Sequence, residues 1–153
     1  MTTLTAEDKL EIMELNSRHF YALDGLNRIL AGDPAEHFAN TFTKDGLFEI
    51  RKSDDSVIFS LKGYEQLLNG QKQFPDIEET RHWIGGLLIE SHEEGARSGS
   101  YIIAMNISVN PSTIIRTGTY DDLLVKDQGA WKYKRKSLIL DAFSPSAEWI
   151  FCL

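Results

Sequence analysis

The chain is poor in cysteine, with one, and in proline, with four, and nowhere does an apolar run approach the roughly 20 residues that span a bilayer. The single thiol, Cys152, excludes an intrachain disulfide framework, and the missing run excludes a membrane-spanning helix. Positive charge is also scarce: 16 Lys and Arg stand against 23 Asp and Glu, for a net charge of −7. A surface of that sign repels phosphate backbones and anionic lipid, so neither nucleic acid nor membrane is expected as a partner. No basic start leads into an apolar export segment, and cytoplasmic residence is the expectation. No His/Cys/Asp/Glu spacing matches a ligand cluster of the His-Glu-x-x-His kind, and the glycine-rich phosphate loops are missing. The expectation is therefore no metal and no cofactor.

What the chain does contain is the material of one globular domain spanning 1–153, with 42% apolar and 25% charged residues. Thr5-Ala6-Glu7-Asp8 resembles a capping box, and Leu10, Met13, Phe20, Leu23 and Leu26 or Asn27 recur at helical spacing, predicting a helix over 5–31. Gly32-Asp33-Pro34 stops it and starts a short helix to about Phe42. Leu47–Arg51 and Val57–Leu61 read as a hairpin across Ser53-Asp54-Asp55, and Gly63–Lys72 as a third helix. Four long β-like stretches follow: Thr80–Ser91, Ala96–Val109, Thr113–Lys126 and Trp131–Phe143. Their separators are short enough to join antiparallel neighbours. Glycines inside them, at Gly85-Gly86, Gly99 and Gly118, predict bulges or bends. The fold class is α+β, a strongly bent antiparallel sheet of about six strands with three helices in the N-terminal half, packed on one face around an apolar pocket.

Several runs carry a family resemblance in the right order over roughly residues 5–142. They are Phe20–Gly25, Phe42–Glu49, Gly63–Leu67, Arg81-His82-Trp83, Gly118–Leu124 and Gly129–Tyr133. Together they resemble the SnoaL-like, nuclear transport factor 2-like proteins, a superfamily of polyketide cyclases, ketosteroid isomerase-like proteins, scytalone dehydratase, a dehydrochlorinase and many non-catalytic binders. In the dehydratase and dehydrochlorinase branch, the resemblance implies a carboxylate at the end of the first helix paired with a histidine at the start of the third strand. Asp24 and His82 fall on those places. Leu23 stands where the dehydratase pattern has Tyr, and the second active-site histidine of that enzyme has no counterpart.

Imidazole is the side chain suited to proton transfer near neutrality, and a carboxylate on its second nitrogen fixes the tautomer and stabilises the imidazolium. His82 and Asp24 are accordingly the candidate catalytic pair, for dehydration, elimination, isomerisation or cyclisation of a hydrophobic small molecule. Candidate substrate contacts are Tyr21, Ile84, Asn106 and Trp149. On the fourth strand either Ser100, Ile102, Ala104 and Asn106, or Tyr101, Ile103 and Met105, line the pocket. His19 is read as a surface or core-edge residue, His37 and His92 as exposed, and Trp131–Lys136 as a strand with one solvated basic face. Two other classes stay open: a non-catalytic small-molecule-binding or assembly domain, and an accessory subunit of an oxygenase. A homodimer or higher oligomer across the open face of the sheet is expected, because Ile114/Ile115 and Leu123/Leu124 leave apolar residues on both sides. The aromatic tail over 143–153 is expected to pack as a lid or interface arm.

Overall fold

The computed structural model describes residues 3–25, 28–74 and 79–145. Helix α1 (Ala6–Leu23) opens with a reciprocal capping box: the Thr5 hydroxyl accepts from the Asp8 N–H at 3.1 Å, and Asp8 accepts from the Thr5 N–H at 2.9 Å. Asp8 also takes the Lys126 ammonium at 2.7 Å and the Trp131 indole N–H at 3.0 Å, tying the start of α1 to the sheet. The helix ends at Leu23, well before the expected residue 31, because Gly25 adopts φ 67° and turns the chain out of the helix just after the cap residue Asp24. Leu26 and Asn27 lie outside the described residues. The buried stripe of α1 is Ile12, Asn16, His19, Phe20 and Leu23, whereas Leu10 and Met13 are exposed. Apolar spacing misplaced this face, since two of its members are polar residues with buried partners: Asn16 accepts from the Tyr133 hydroxyl at 3.1 Å, and His19 bonds Thr41 at 3.0 Å.

Helix α2 (Pro34–Asn40) is capped by Asp33, as Gly-Asp-Pro predicts, and α3 (Tyr64–Gln73) completes the helical layer. The strands are β1 (Phe42–Arg51), β2 (Val57–Lys62), β3 (Thr80–His92), β4 (Gly95–Asn106), β5 (Thr113–Asp127) and β6 (Ala130–Leu140). They form one sheet in the order β2-β1-β6-β5-β4-β3. The hairpin and the long meander are antiparallel, and β1 joins β6 in parallel, which makes the sheet mixed. An aromatic layer of Phe38, Phe42, Phe48 and Tyr133 fills the space between helices and sheet, with His19 at its centre.

Bulges set which side chains face that core. In β3, Gly85 pairs with Tyr101 and Leu88 with Gly99, so Gly86 and Leu87 together oppose Ser100, and Gly86 takes φ 61°. The sheet approaches itself closely at Gly118, where a Cβ would lie 2.3 Å from the Ile139 carbonyl oxygen. In β6, Tyr133 pairs with Leu124 and Arg135 with Leu123, leaving Lys134 as the extra residue. That insertion reverses the alternation set by Trp131 and Tyr133 and sends Lys136 inward, which overturns the expectation of a continuous solvated basic face.

Candidate active site

Asp24 and His82, 58 positions apart in sequence, meet where the end of α1 reaches the first residues of β3. One Asp24 oxygen, Oδ2, accepts the His82 backbone N–H at 3.0 Å, and the other, Oδ1, lies 2.5 Å from Nδ1 of the ring. The side chains of His82 and Asp24 are 7% and 5% exposed. This two-point contact fixes both the position of the carboxylate and the plane of the imidazole. An ionised carboxylate on Nδ1 calls for a proton on that nitrogen, which leaves Nε2 with the lone pair.

Helical spacing explains how Asp24 comes to point this way. Asp24 adopts the last right-handed conformation of α1 and donates its N–H to the Phe20 carbonyl at 3.0 Å, after which the chain turns away at Gly25. Its side chain therefore continues the buried row of Ile12, Asn16 and Phe20 at the last turn of the helix. Phe20, one turn earlier, packs against the His82 ring at 5.9 Å and against Tyr120 at 5.4 Å.

The concave face continues inward in rows set by register. Beside His82 on β4 stands Ala104, beside Ile84 stands Ile102, and the row through Ser100, Tyr120 and Leu138 lies deeper. Ser98, Ser100, Ile102 and Ala104 are buried, while Tyr101 and Ile103 are exposed on the convex side, which decides between the two sequence alternatives. Below Tyr120 lies a fully buried ion pair: Lys136 and Asp122, both 0% exposed, 2.8 Å apart. The Lys136 ammonium sits 4.3 Å from the ring centres of both Tyr120 and Tyr133, and 5.1 Å from that of Phe20. Burial pushes the Asp122 carboxyl up and the Lys136 ammonium down, and their mutual attraction opposes both shifts. Burial also raises the Tyr120 and Tyr133 phenols, which keeps them protonated hydrogen-bond donors.

The other candidates fare unequally. Ile84 faces inward opposite Ile102 and packs on the core. Tyr21 lies about 100° round α1 from Phe20 and is half exposed. Asn106 is partly buried, with Oδ1 accepting from the Ser108 N–H and hydroxyl, both at 2.8 Å, so its acceptor serves the turn after β4. Trp149 lies outside the described residues. His19, expected near the surface, is 0% exposed, while His37 and His92 are partly buried. Among the described residues no three His, Cys, Asp or Glu side chains are grouped to hold a metal ion, and no helix is long and apolar enough to cross a membrane. Sequence reasoning missed Tyr120, Asp122 and Lys136. The signal available was Gly118-Thr119-Tyr120-Asp121-Asp122, where strand alternation must turn one of two adjacent aspartates inward.

The profile of the SnoaL-like domain matches residues 4–137. The chain belongs to the SnoaL-like family. No curated protein matches it by sequence. A Nostoc punctiforme protein of unknown function with a cystatin-like fold is 26% identical and superposes with a TM-score of 0.74 over 94% of this SnoaL-like chain and 98% of its own. A Catenulispora acidiphila protein solved in complex with S-DNPA is 20% identical, TM-score 0.69, over 89% and 95% of the two chains. A provisionally named scytalone dehydratase from Novosphingobium aromaticivorans is 23% identical, TM-score 0.65, over 88% and 84%. At these last two identities the likeness is one of fold.

Proposed function

We propose that the protein is a cofactor-independent lyase or isomerase that acts on a hydrophobic small molecule, with His82 as general base and Asp24 as the residue that positions it. The observation that carries this reading is the two-point hold of Asp24 on the His82 ring and backbone, at 2.5 and 3.0 Å, in a nearly closed site. In such a hold Nε2 takes a proton from a carbon next to a carbonyl, and the Asp24 carboxylate stabilises the imidazolium that results. In a dehydration, the C–H electron pair becomes the new double bond. The C–O bond breaks, and the leaving oxygen departs as water with a proton returned from His82. Ile84 and Phe20 supply apolar walls that hold the ring of the substrate. The fold shared with a provisionally named scytalone dehydratase and with a protein that binds S-DNPA supports the substrate class. Cytoplasmic residence and a homodimer are part of the same proposal.

The test uses a panel of β-hydroxy ketones, with conjugated enone formation read by ultraviolet absorbance. His82→Ala should abolish turnover, and Asp24→Asn should lower kcat by about 10²-fold or more while leaving KM nearly unchanged. Ligand binding that survives both substitutions, with no turnover in the unsubstituted protein, would instead make the chain a binding domain.

A further inference from the structure

A polar side chain from another element reaches the end of α1. The buried residues of α3 are Leu67 and Gln71, 0% and 3% exposed. An apolar residue at 71 would pack there without the cost of burying an amide, and the amide is accounted for by the bond it makes. Its Nε2 donates to the Ala22 carbonyl at 3.1 Å, across 49 positions of sequence. The last four carbonyls of a helix have no donor within it, and Ala22 also accepts the Gly25 N–H at 3.2 Å. Two donors, one from the turn that leaves the helix and one from α3, thus hold the carbonyl two residues before Asp24.

Asp24 stands at an unfavourable place for a carboxylate. It caps the negative end of the α1 dipole, and the last turn carries no basic residue to offset that end. A donor on the Ala22 carbonyl withdraws negative charge beside the carboxylate. The grip of Asp24 on His82 also has little slack: its two contacts, at 3.0 and 2.5 Å, cannot both survive a shift of the helix end by about 1 Å. We propose that Gln71 is the positioning residue of this pair, fixing the last turn of α1 so that both Asp24 oxygens stay on His82. Its effect on turnover rests on reading His82 and Asp24 as the reacting groups, whereas its effect on their hydrogen bond does not.

The test follows the His82 Nδ1 proton by NMR in the full chain with isotope-labelled histidine, the signal being identified by its loss in His82→Ala. Gln71→Met keeps the volume and removes the donor, and it should speed exchange of that proton with water about tenfold, the equivalent of one lost hydrogen bond. Leu67→Val, on the same face of α3, lowers stability by packing alone and should leave the exchange rate unchanged. Should Gln71→Met fail to fold, Gln71→Asn, whose amide is drawn back by one methylene, must show the faster exchange instead. An unchanged rate in the Gln71 variant, or an equal acceleration in Leu67→Val, overturns the assignment whatever the turnover. Where turnover is measurable, Gln71→Met should lower kcat about tenfold with KM held, and Leu67→Val should not. Faster exchange in a protein that turns over no substrate would support the positioning role and remove the catalytic reading alone.

Discussion

Thr41 decides which nitrogen of His19 carries the proton. The Thr41 hydroxyl donates to the Phe38 carbonyl at 2.7 Å, so its oxygen can only accept from His19 Nδ1, 3.0 Å away. Nε2 is then the unprotonated nitrogen, and it is buried without a partner among the described residues. Burial holds this imidazole well below its usual 6.5, with the Lys136 charge adding to the effect. On acidification the unfolded chain therefore takes up a proton before the folded one does. The stability that His19 contributes is full above about pH 6.5 and declines as the pH falls through that value. Between pH 7.5 and 5.5 the native protein should lose on the order of 1 kcal/mol of stability relative to His19→Leu in urea titrations. Parallel pH curves for the two proteins would contradict the buried neutral imidazole.

A second residue-scale prediction concerns Lys136 and Asp122. The ammonium has one carboxylate partner and three aromatic faces, and the Asp122 oxygen that binds it lies 3.4 Å from the Ser98 hydroxyl. Removing one charge strands the other in a space closed to water. Asp122→Leu and Lys136→Met should each cost about 3–5 kcal/mol, whereas the two changes together should recover most of that loss. A urea series on the single and double variants reads the difference as a coupling energy. Additive losses would mean that the pair is not the unit that holds β5 and β6 together at this point.

At the scale of elements, the end of α1 matters most, because it carries one half of the candidate site. Gly25 at φ 67° is the residue that lets the chain leave the helix with Asp24 directed at His82. Gly25→Ala should destabilise the fold by about 1 kcal/mol through the left-handed conformation alone. It should also weaken the grip of Asp24 on the His82 N–H, visible as faster amide exchange at His82 than in the unsubstituted protein. Legibility in the sequence follows the same physics. Turn and cap chemistry is local, so Thr5–Asp8 and Gly32-Asp33-Pro34 placed the starts of α1 and α2 and the separators placed the long strands to within a few residues, whereas the end of α1 was expected at residue 31 and lies at Leu23. The His82–Asp24 pairing was readable only through family resemblance, since nothing local joins residues 58 apart. Lys136 and the α1 face were misread for non-local reasons. A one-residue bulge at Lys134 reverses strand parity, and Asn16 and His19 are accepted in the core because partners wait there on Tyr133 and Thr41.

For the whole molecule, the helices cover only the concave side of the sheet. On the convex side of β3 and β4, Trp83, Tyr101 and Ile103 are 47%, 68% and 42% exposed, and Ile114 near the start of β5 is half exposed as well. Trp83 pairs directly with Ile103, so these two form a contiguous apolar surface, and the Tyr101 ring lies against Gly86 within reach of the same patch. Burial of such a cluster is favourable, and a twofold pairing of identical faces buries it from both sides at once. Phe143, 98% exposed just after β6, is a further apolar group with no cover of its own, although Ser144 beside it is held by the Thr117 N–H at 3.1 Å. The expected state at micromolar concentration is therefore a dimer by sedimentation velocity. Replacing Tyr101 and Ile103 by Arg sets like charges against each other across the twofold axis and should yield monomers without disturbing the His82–Asp24 pair, whose side chains lie on the opposite face. A monomeric unsubstituted protein, or a doubly substituted one that still sediments as a dimer, would show that this face is not where two copies meet.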